Sequence, residues 1–134
     1  MSEADNRMLI KRMLAGEVDW LEQWASDGVW MIPGSTRWSG TYRGEANIAR
    51  NLLGPLTAEM KSLGKFEVDK VVAEGDYVVV QGHATGRVTQ TGQQYNNTYC
   101  LVYEIVAGKI RQLIEYCDTE LITRAFGPGS ARSM

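Results

Sequence analysis

Four strand-like segments in the second half of the chain constrain its fold more than any other feature of the sequence. The predicted strands span residues 66–72, 77 to about 88, 94–106 and 110–117. They are rich in valine, isoleucine and tyrosine, and short turns that contain glycine separate them. Because such turns join strands that run in opposite directions, we expect a single antiparallel sheet.

Helical spacing of apolar residues dominates the first half of the chain. It predicts helices within residues 1–27 and a long helix over 44–63, which a Gly-Pro pair kinks or breaks. A short strand is expected at 29–32, and a last helix, capped by an aspartate, at 118–126. Helices followed by a run of strands indicate an α+β fold, a cone-shaped curved antiparallel sheet whose central pocket is closed by N-terminal helices.

Length and charge bound the class of protein. The 134 residues fit one domain, which we place at 1–127, followed by a flexible tail at 128–134. The 14 Lys and Arg and the 16 Asp and Glu are scattered, which argues against nucleic acid as a partner. The N-terminus lacks the pattern of an export signal, and no segment is apolar enough to span a membrane. We therefore expect a cytoplasmic protein, and with one histidine and two cysteines we expect no metal cluster.

One carboxylate, Glu115, stands in the largely apolar last strand, and the turn before it decides which face of the sheet it occupies. A two-residue turn would pair Val106 with Lys109, whereas a three-residue turn with a bulged glycine would pair Ile105 with Lys109. Ala107 fits a positive φ poorly, so we favour the three-residue turn.

In the favoured register, Glu115 lies opposite Tyr99. The other pairs on that face are Leu113 with Leu101, Arg111 with Tyr103, and Cys117 with Asn97. Both faces are partly apolar, so periodicity alone leaves the inner face undecided. On a pocket wall the carboxyl group would have a shifted pKa suited to proton transfer, whereas on the other face it would be solvated or ion-paired.

Five short segments, spread over nearly the whole chain, carry a family resemblance. They are DGVW at 27–30, YRG at 42–44, TGQQYNN at 91–97, GKI at 108–110 and EYCD at 115–118. In this order they resemble the nuclear transport factor 2-like superfamily, which includes ketosteroid isomerase, SnoaL-type polyketide cyclases and limonene epoxide hydrolase. The resemblance implies the cone fold and a homodimer formed through the open sheet face. It names no reaction, because one scaffold carries many activities.

The resemblance also implies positions for a site. Glu115 would face the pocket, where the hydrolase and the cyclases place an essential aspartate. His83 falls where the hydrolase has a second catalytic aspartate, and Gln81 where it has an arginine. If the strand here is one residue longer, the alanine after His83 faces the pocket instead. Trp30 and Ile32 replace a tyrosine and an asparagine of the hydrolase, so no named activity transfers intact.

These residues predict a site for proton transfer. Glu115 would orient the His83 ring, and the imidazole would move a proton at neutral pH. Tyr99 would donate to a developing oxyanion, and Asn97 would orient a carbonyl or hydroxyl group. The expected substrate-binding residues are Trp30, Ile32, Gln81, Leu101, Leu113, Leu56 and Met60. We predict an isomerase, cyclase, dehydratase or epoxide hydrolase that acts on a small hydrophobic molecule without a metal or organic cofactor.

A second interpretation is a domain that binds a small ligand, or only dimerises, without catalysis. A single histidine on a strand is more often a surface residue, and the apolar side chains could be ordinary core. Glu115 could form a cross-strand ion pair. Its position separates the two interpretations, because a carboxylate in solvent excludes the enzyme as described.

Overall fold

The described part of the chain, residues 2–129 of a computed structural model, folds into helices packed on a large curved sheet; residues 130–134 of the predicted tail lie outside it. The helices are α1 (Glu3–Leu14), α2 (Glu45–Asn47), α3 (Gly54–Ala58) and α4 (Thr119–Phe126), with a 3₁₀ turn at Leu21–Gln23 and a π-helical segment at Ile48–Leu53. The strands are β1 (Trp24–Ile32), β2 (Gly40–Arg43), β3 (Met60–Ser62), β4 (Lys65–Glu74), β5 (Tyr77–Thr85), β6 (Val88–Thr89), β7 (Thr98–Val106) and β8 (Lys109–Cys117).

Six strands form the main sheet in the order β2-β1-β8-β7-β5-β4, and β3 pairs with β6 beside it. The sheet is curved and open, which confirms the predicted α+β fold class. Neighbouring strands are antiparallel except β1 and β8, which run parallel. This exception was not expected, because the pattern of single strands contains no signal for a pairing between the first strand and the last.

Two predicted helical segments differ in the structure. Trp24 fits a helical spacing with Trp20 but begins β1 instead, and its ring packs on Trp20 at a centroid distance of 5.4 Å. The long helix predicted over 44–63 is divided into α2, the π-helical segment, α3 and β3. Pro55 does not break the chain of helical residues: Leu53 and Gly54 before it both have right-handed helical torsions, and the helix continues to Ala58 before β3 begins.

Both ends of the described chain carry capped helices that close the domain. In α1 the Ser2 side chain accepts from the Asp5 backbone N–H, and the Asp5 carboxylate accepts from the Ser2 N–H, a reciprocal capping box. Helix α1 packs on β4 and β5. Asp118 caps α4, as predicted, by accepting from the N–H groups of Glu120 and Leu121 at 3.0 and 3.3 Å.

The β7–β8 hairpin has the two-residue turn, so the predicted register is wrong. Val106 pairs with Lys109, and φ is 51° at Ala107 and 76° at Gly108. A turn with two positive φ angles matches the right-handed twist of its strands, which outweighs the strain at the alanine.

A bulge in β8 then resets the pairing beyond the turn. Arg111 is the extra residue, because Ile105 pairs with Ile110 while Glu104 pairs with Gln112. The further pairs are Tyr103 with Leu113, Leu101 with Glu115, and Tyr99 with Cys117. Glu115 therefore shares a face with Leu101 and Tyr99, and Arg111 does not lie opposite Tyr103.

Burial alternates along the central strands and separates the two faces of the sheet. On the inner face, Val78, Val80, Leu101, Tyr103 and Leu113 are buried in the core. Their neighbours on the outer face are half-buried or exposed.

Candidate functional site

A cavity of about 310 Å³ lies on the inner face of the sheet beneath the N-terminal helices. It is lined by Met13, Leu14, Trp20, Trp30, Leu53, Leu56, Thr57, Met60, Leu63, Phe66, Arg87, Tyr95, Tyr99, Leu101, Tyr103, Leu113 and Glu115. Most of these side chains are apolar or aromatic, and the charged ones are Arg87 and Glu115. A mainly apolar wall with a few convergent polar groups is typical of a small-molecule site.

Glu115 places its carboxyl group on this wall. The residue is half-buried, and its accessible surface opens into the cavity. Burial raises the pKa of Glu115 from 4.5 to about 7, a shift that the positive charge of Arg87 and a hydrogen bond from Trp30 limit. The group is therefore poised to exchange a proton near neutral pH.

The buried Trp30 indole N–H lies close to this carboxyl group and lowers the pKa of Glu115 as a weak hydrogen-bond donor. It donates no other hydrogen bond within the described residues. The Trp30 ring packs on Trp20 at 5.1 Å between centroids, which fixes the indole in place.

Arg87 and Tyr99 form a second polar group in the cavity. The Arg87 Nη1 donates to the Tyr99 hydroxyl at 2.9 Å, and its Nε donates to the Leu63 carbonyl at 3.0 Å. The guanidinium carbon lies 5.8 Å from the centre of the Tyr99 ring. Burial holds the pKa of Tyr99 above its usual range, so the phenol is neutral and acts as a donor.

Tyr95 extends this polar group. Its hydroxyl accepts from Asn97 Nδ2 at 3.4 Å, and it lies close enough to the Tyr99 hydroxyl for each phenol to shift the pKa of the other. Burial raises the pKa of Tyr95 to about 12. Both phenols accept a hydrogen bond from a neighbouring side chain, so at least one of the two phenol protons remains to be donated into the cavity.

The wall of the cavity contains seven of the residues singled out from the sequence. They are Glu115, Tyr99, Trp30, Leu101, Leu113, Leu56 and Met60. The structure brings Glu115 and Tyr99 together on neighbouring strands of one face, and their roles stay predictions.

His83 and Gln81 lie on the opposite face of the sheet, which corrects their expected position in the pocket. The inward side chains of β5 are those of Val78, Val80 and Ala84, so the odd-numbered residues point outward. The His83 ring is half-exposed, and its Nδ1 lies 2.8 Å from Asp69 Oδ2 on the neighbouring strand. The alternative match, with alanine on the inner side, fits the structure.

Asn97 and Ile32 are buried beside the cavity rather than on its wall. Asn97 Nδ2 donates to the Asp118 carbonyl at 3.0 Å, and its Oδ1 accepts from the N–H groups of Thr98 and Asp118. Its hydrogen-bonding capacity thus holds β7 to the start of α4, which leaves little for a substrate. Ile32 is part of the core at the end of β1.

Arg87 is the main site residue that the sequence prediction missed. A continuous strand through 88 would place it on the outer face with His83, because the parity is the same. The strand instead ends at Thr85, and Gly86 has a φ of 70°, which only glycine adopts without strain. That glycine, next to an arginine inside the predicted strand, was the available signal.

Gly82 is a further local requirement of the site. A Cβ atom at this position would lie 2.4 Å from Phe66 Cζ, so glycine lets the Phe66 ring cross β5. The Phe66 ring then packs on Tyr99 at 5.8 Å between centroids and closes one side of the cavity.

Two features are absent from residues 2–129: a metal-binding group of side chains and a helix that could span a membrane. No three His, Cys, Asp or Glu side chains in this part of the chain are grouped so that they could hold a metal ion. No helix in the same range is both long and apolar enough to cross a membrane.

Comparisons with known sequences identify one family. A family model described as a SnoaL-like domain matches residues 12–113. Among curated proteins, no sequence matches at a significant level.

Solved structures match over nearly the whole length. An NTF2-like protein from Burkholderia xenovorans LB400 is 29% identical, with a TM-score of 0.73 over 93% of this chain and 98% of that chain. An NTF2-like protein from Burkholderia thailandensis E264 is 23% identical, with a TM-score of 0.80 over 96% and 100%. TerC, co-crystallised with polyporic acid, is 21% identical, with a TM-score of 0.74 over 90% and 97%. The latter two likenesses concern the fold alone.

Proposed function

The chain belongs to the SnoaL-like domain family, whose fold includes isomerases and cyclases, and from that premise we propose that its cavity is an active site. Glu115 transfers a proton on a small, largely apolar molecule. The observation that carries this proposal is a carboxyl group with a pKa of about 7 on the wall of a 310 Å³ cavity.

The environment of Glu115 suits it to act as both base and acid. A group with a pKa near the working pH has a substantial ionised fraction and is still basic enough to remove a proton. As a carboxylate, Glu115 takes a proton from the substrate, and the carboxylic acid that forms returns it at another position. Such transfer underlies isomerisation, cyclisation and dehydration.

Arg87 and the tyrosines supply the complementary charge stabilisation. Removal of a proton leaves negative charge on the substrate, usually on an oxygen. The Arg87 guanidinium and the spare phenol proton of Tyr95 or Tyr99 are donors already held in place by hydrogen bonds. Preorganised donors in a mainly apolar cavity stabilise such charge at little reorganisation cost.

The ligand class follows from the lining. The aromatic and aliphatic wall favours an apolar body, and the polar groups favour one or two oxygen atoms. TerC, a protein of the same fold, was crystallised with polyporic acid, which supports the choice of a small organic molecule.

The test is a screen of small cyclic ketones, enones, hydroxy compounds and epoxides in deuterated buffer, followed by NMR. We expect one class to be turned over or to exchange protons. Glu115→Gln should lower that rate by roughly 10²–10⁴-fold, because it removes the proton-transfer group. Glu67→Gln makes the same change at an exposed position of β4 and should leave the rate unaltered. A Glu115→Gln rate within twofold of wild type contradicts the proposal.

A second candidate function is ligand binding without chemistry, and the predominance of apolar side chains in the wall favours it. Tryptophan fluorescence reports occupancy directly, because Trp20 and Trp30 line the cavity. Saturable binding of compounds that are never converted, with equal affinity in wild type and Glu115→Gln, would support this function over catalysis.

A further inference from the structure

Arg87 brings a positive charge into the cavity without a carboxylate bound to it. Within residues 2–129 the ion pairs involve other arginines and the histidine, and none includes Arg87. Its neighbours are a backbone carbonyl and a neutral phenol. A half-buried cation in a mainly apolar wall is costly unless an anion compensates it. Glu115 interacts with this charge across the cavity without forming an ion pair with it, so a bound anion would add compensation that Glu115 supplies only in part.

The guanidinium also keeps donors in reserve. Of its five N–H groups, Nε bonds to Leu63 and one hydrogen of Nη1 bonds to Tyr99. The other N–H groups have no hydrogen-bond partner in the described part of the chain, and the guanidinium borders the cavity. The Arg87 backbone N–H donates to Asn96 Oδ1 at 2.9 Å, which holds the residue in place.

The spare phenol proton lies beside these donors. Because Tyr99 accepts from Arg87 and Tyr95 accepts from Asn97, the tyrosine pair adds at least one neutral donor next to the cation. A cation and a neutral donor side by side match a carboxylate, enolate or phenolate oxygen better than a neutral carbonyl, because charge-assisted hydrogen bonds are the stronger ones.

We propose that the cavity selects weak organic acids and binds them as anions, with the charged oxygen on Arg87 and the Tyr95–Tyr99 pair and the apolar body against the tryptophans. This proposal rests on the proposed function, because it concerns the same cavity. It adds the chemical class of the substrate. Glu115 is the other charge in the cavity, so a bound anion favours its protonated form. Binding near neutral pH is then accompanied by proton uptake at Glu115. With such a substrate Glu115 acts first as the acid: it gives its proton to the bound anion, and the carboxylate that forms takes one back at another position.

The test uses matched pairs of probes that differ only in charge. Isothermal titration calorimetry compares phenylacetate, naphthoate and biphenylcarboxylate with the corresponding amides. We expect at least one carboxylate to bind wild type more tightly than its amide by on the order of tenfold to a hundredfold, the range of a charge-assisted hydrogen bond. If none of the carboxylates binds more tightly than its amide, the proposal is wrong.

Variants assign the preference to one residue. Arg87→Gln should lose it while amide binding persists, and Arg87→Lys, which keeps the charge, should retain part of it. Arg111→Gln removes an exposed positive charge from β8 and should change nothing. Preference retained in Arg87→Gln, or lost in Arg87→Lys or Arg111→Gln, would contradict the assignment.

Two variants, Glu115→Gln and Arg87→Gln, distinguish a failure of this proposal from a failure of the proposed function. Glu115→Gln should keep the preference for anions but lose the proton uptake, which is measured by titration in buffers of different ionisation enthalpy. If Glu115→Gln retains turnover while Arg87→Gln loses the preference, the catalytic role of Glu115 is wrong and the substrate class stands. If Glu115→Gln loses turnover while Arg87→Gln retains the preference for anions, the catalytic role of Glu115 stands and the assignment of the anion preference to Arg87 is wrong.

Discussion

At the scale of a single residue, the ionisation of Glu115 makes the stability of the fold depend on pH. Its pKa is about 7 in the folded chain and near 4.5 when the side chain is solvated. Between these values the folded state binds more protons than the unfolded state, so stability is full below 4.5 and falls as pH rises through 7. Ionisation of Glu115 lowers the free energy of unfolding by up to about 3 kcal/mol.

Glu115→Gln should remove this dependence. We expect the variant to be as stable as wild type near pH 4 and more stable by up to about 3 kcal/mol near pH 8, because glutamine is not ionised. Urea denaturation of both proteins across this range measures the difference. Glu67→Gln, the same change at an exposed position of β4, is the matched control. A stability difference between Glu115→Gln and wild type that is the same at pH 4 and pH 8 would refute the pKa shift.

Individual side chains were predictable from the sequence where strand parity held and not where a glycine changed it. Parity along β5 groups Gln81 and His83 on one face without saying which face is inner, and the match to the family placed that face inward, whereas the structure places it outward. Gly86, with φ of 70°, interrupts that parity and brings Arg87 to the cavity. A local break of this kind depends on backbone torsion, which spacing does not report.

At the scale of the element, the β7–β8 hairpin contains avoidable strain. Ala107 has a φ of 51°, a conformation that costs an alanine about 1 kcal/mol or more. Asparagine tolerates positive φ, and Asn-Gly is the preferred pair for a two-residue turn of this kind. Ala107→Asn should therefore raise the free energy of unfolding by about 0.5–1 kcal/mol.

Chemical denaturation compares Ala107→Asn with a matched change elsewhere. Ala73→Asn introduces the same side chain at a half-buried position in β4, where φ is not positive, and should lower stability. If both variants lower stability equally, the turn is not the source of strain.

The hairpin also explains why the face of Glu115 was predictable although its register was not. The predicted three-residue turn put Glu115 opposite Tyr99, whereas the real turn and the bulge at Arg111 put it opposite Leu101. These registers differ by two residues, and side chains repeat every two residues along a strand. Without the bulge, the two-residue turn would have sent Glu115 to the outer face.

At the scale of the whole molecule, local pattern identified the class of the fold and missed the connections that depend on distant contacts. The second half, a meander of neighbouring strands, was predictable because its pairings are local. The parallel β1–β8 pair joins segments far apart in sequence. Packing of Trp24 on Trp20 and Trp30 stabilises Trp24 in a strand despite its helical spacing. Tertiary contacts of this kind override local preference.

The outer face of the sheet carries an apolar row that crosses five strands. Register places its members side by side: Val72, Val79, Val102, Ile114 and Met31. Val72 is 51% exposed, and the other four are half-buried. The row that contains Lys70 borders it on one side, and the row that contains Glu74 and Glu104 borders it on the other.

We propose that a second copy of the chain covers this row. A two-fold axis along the row would place the apolar row of one copy on the apolar row of the other. It would also place the Lys70 row of each copy on the Glu74–Glu104 row of its partner, so the interface is self-complementary. Wild type should be a dimer in size-exclusion chromatography with light scattering, and Val79→Glu should be a monomer, because a buried unpaired charge is costly. Val106→Glu makes the same change at the exposed hairpin end and should remain a dimer. A monomeric wild type, or a dimer that Val79→Glu leaves intact, would show that this face is not the interface.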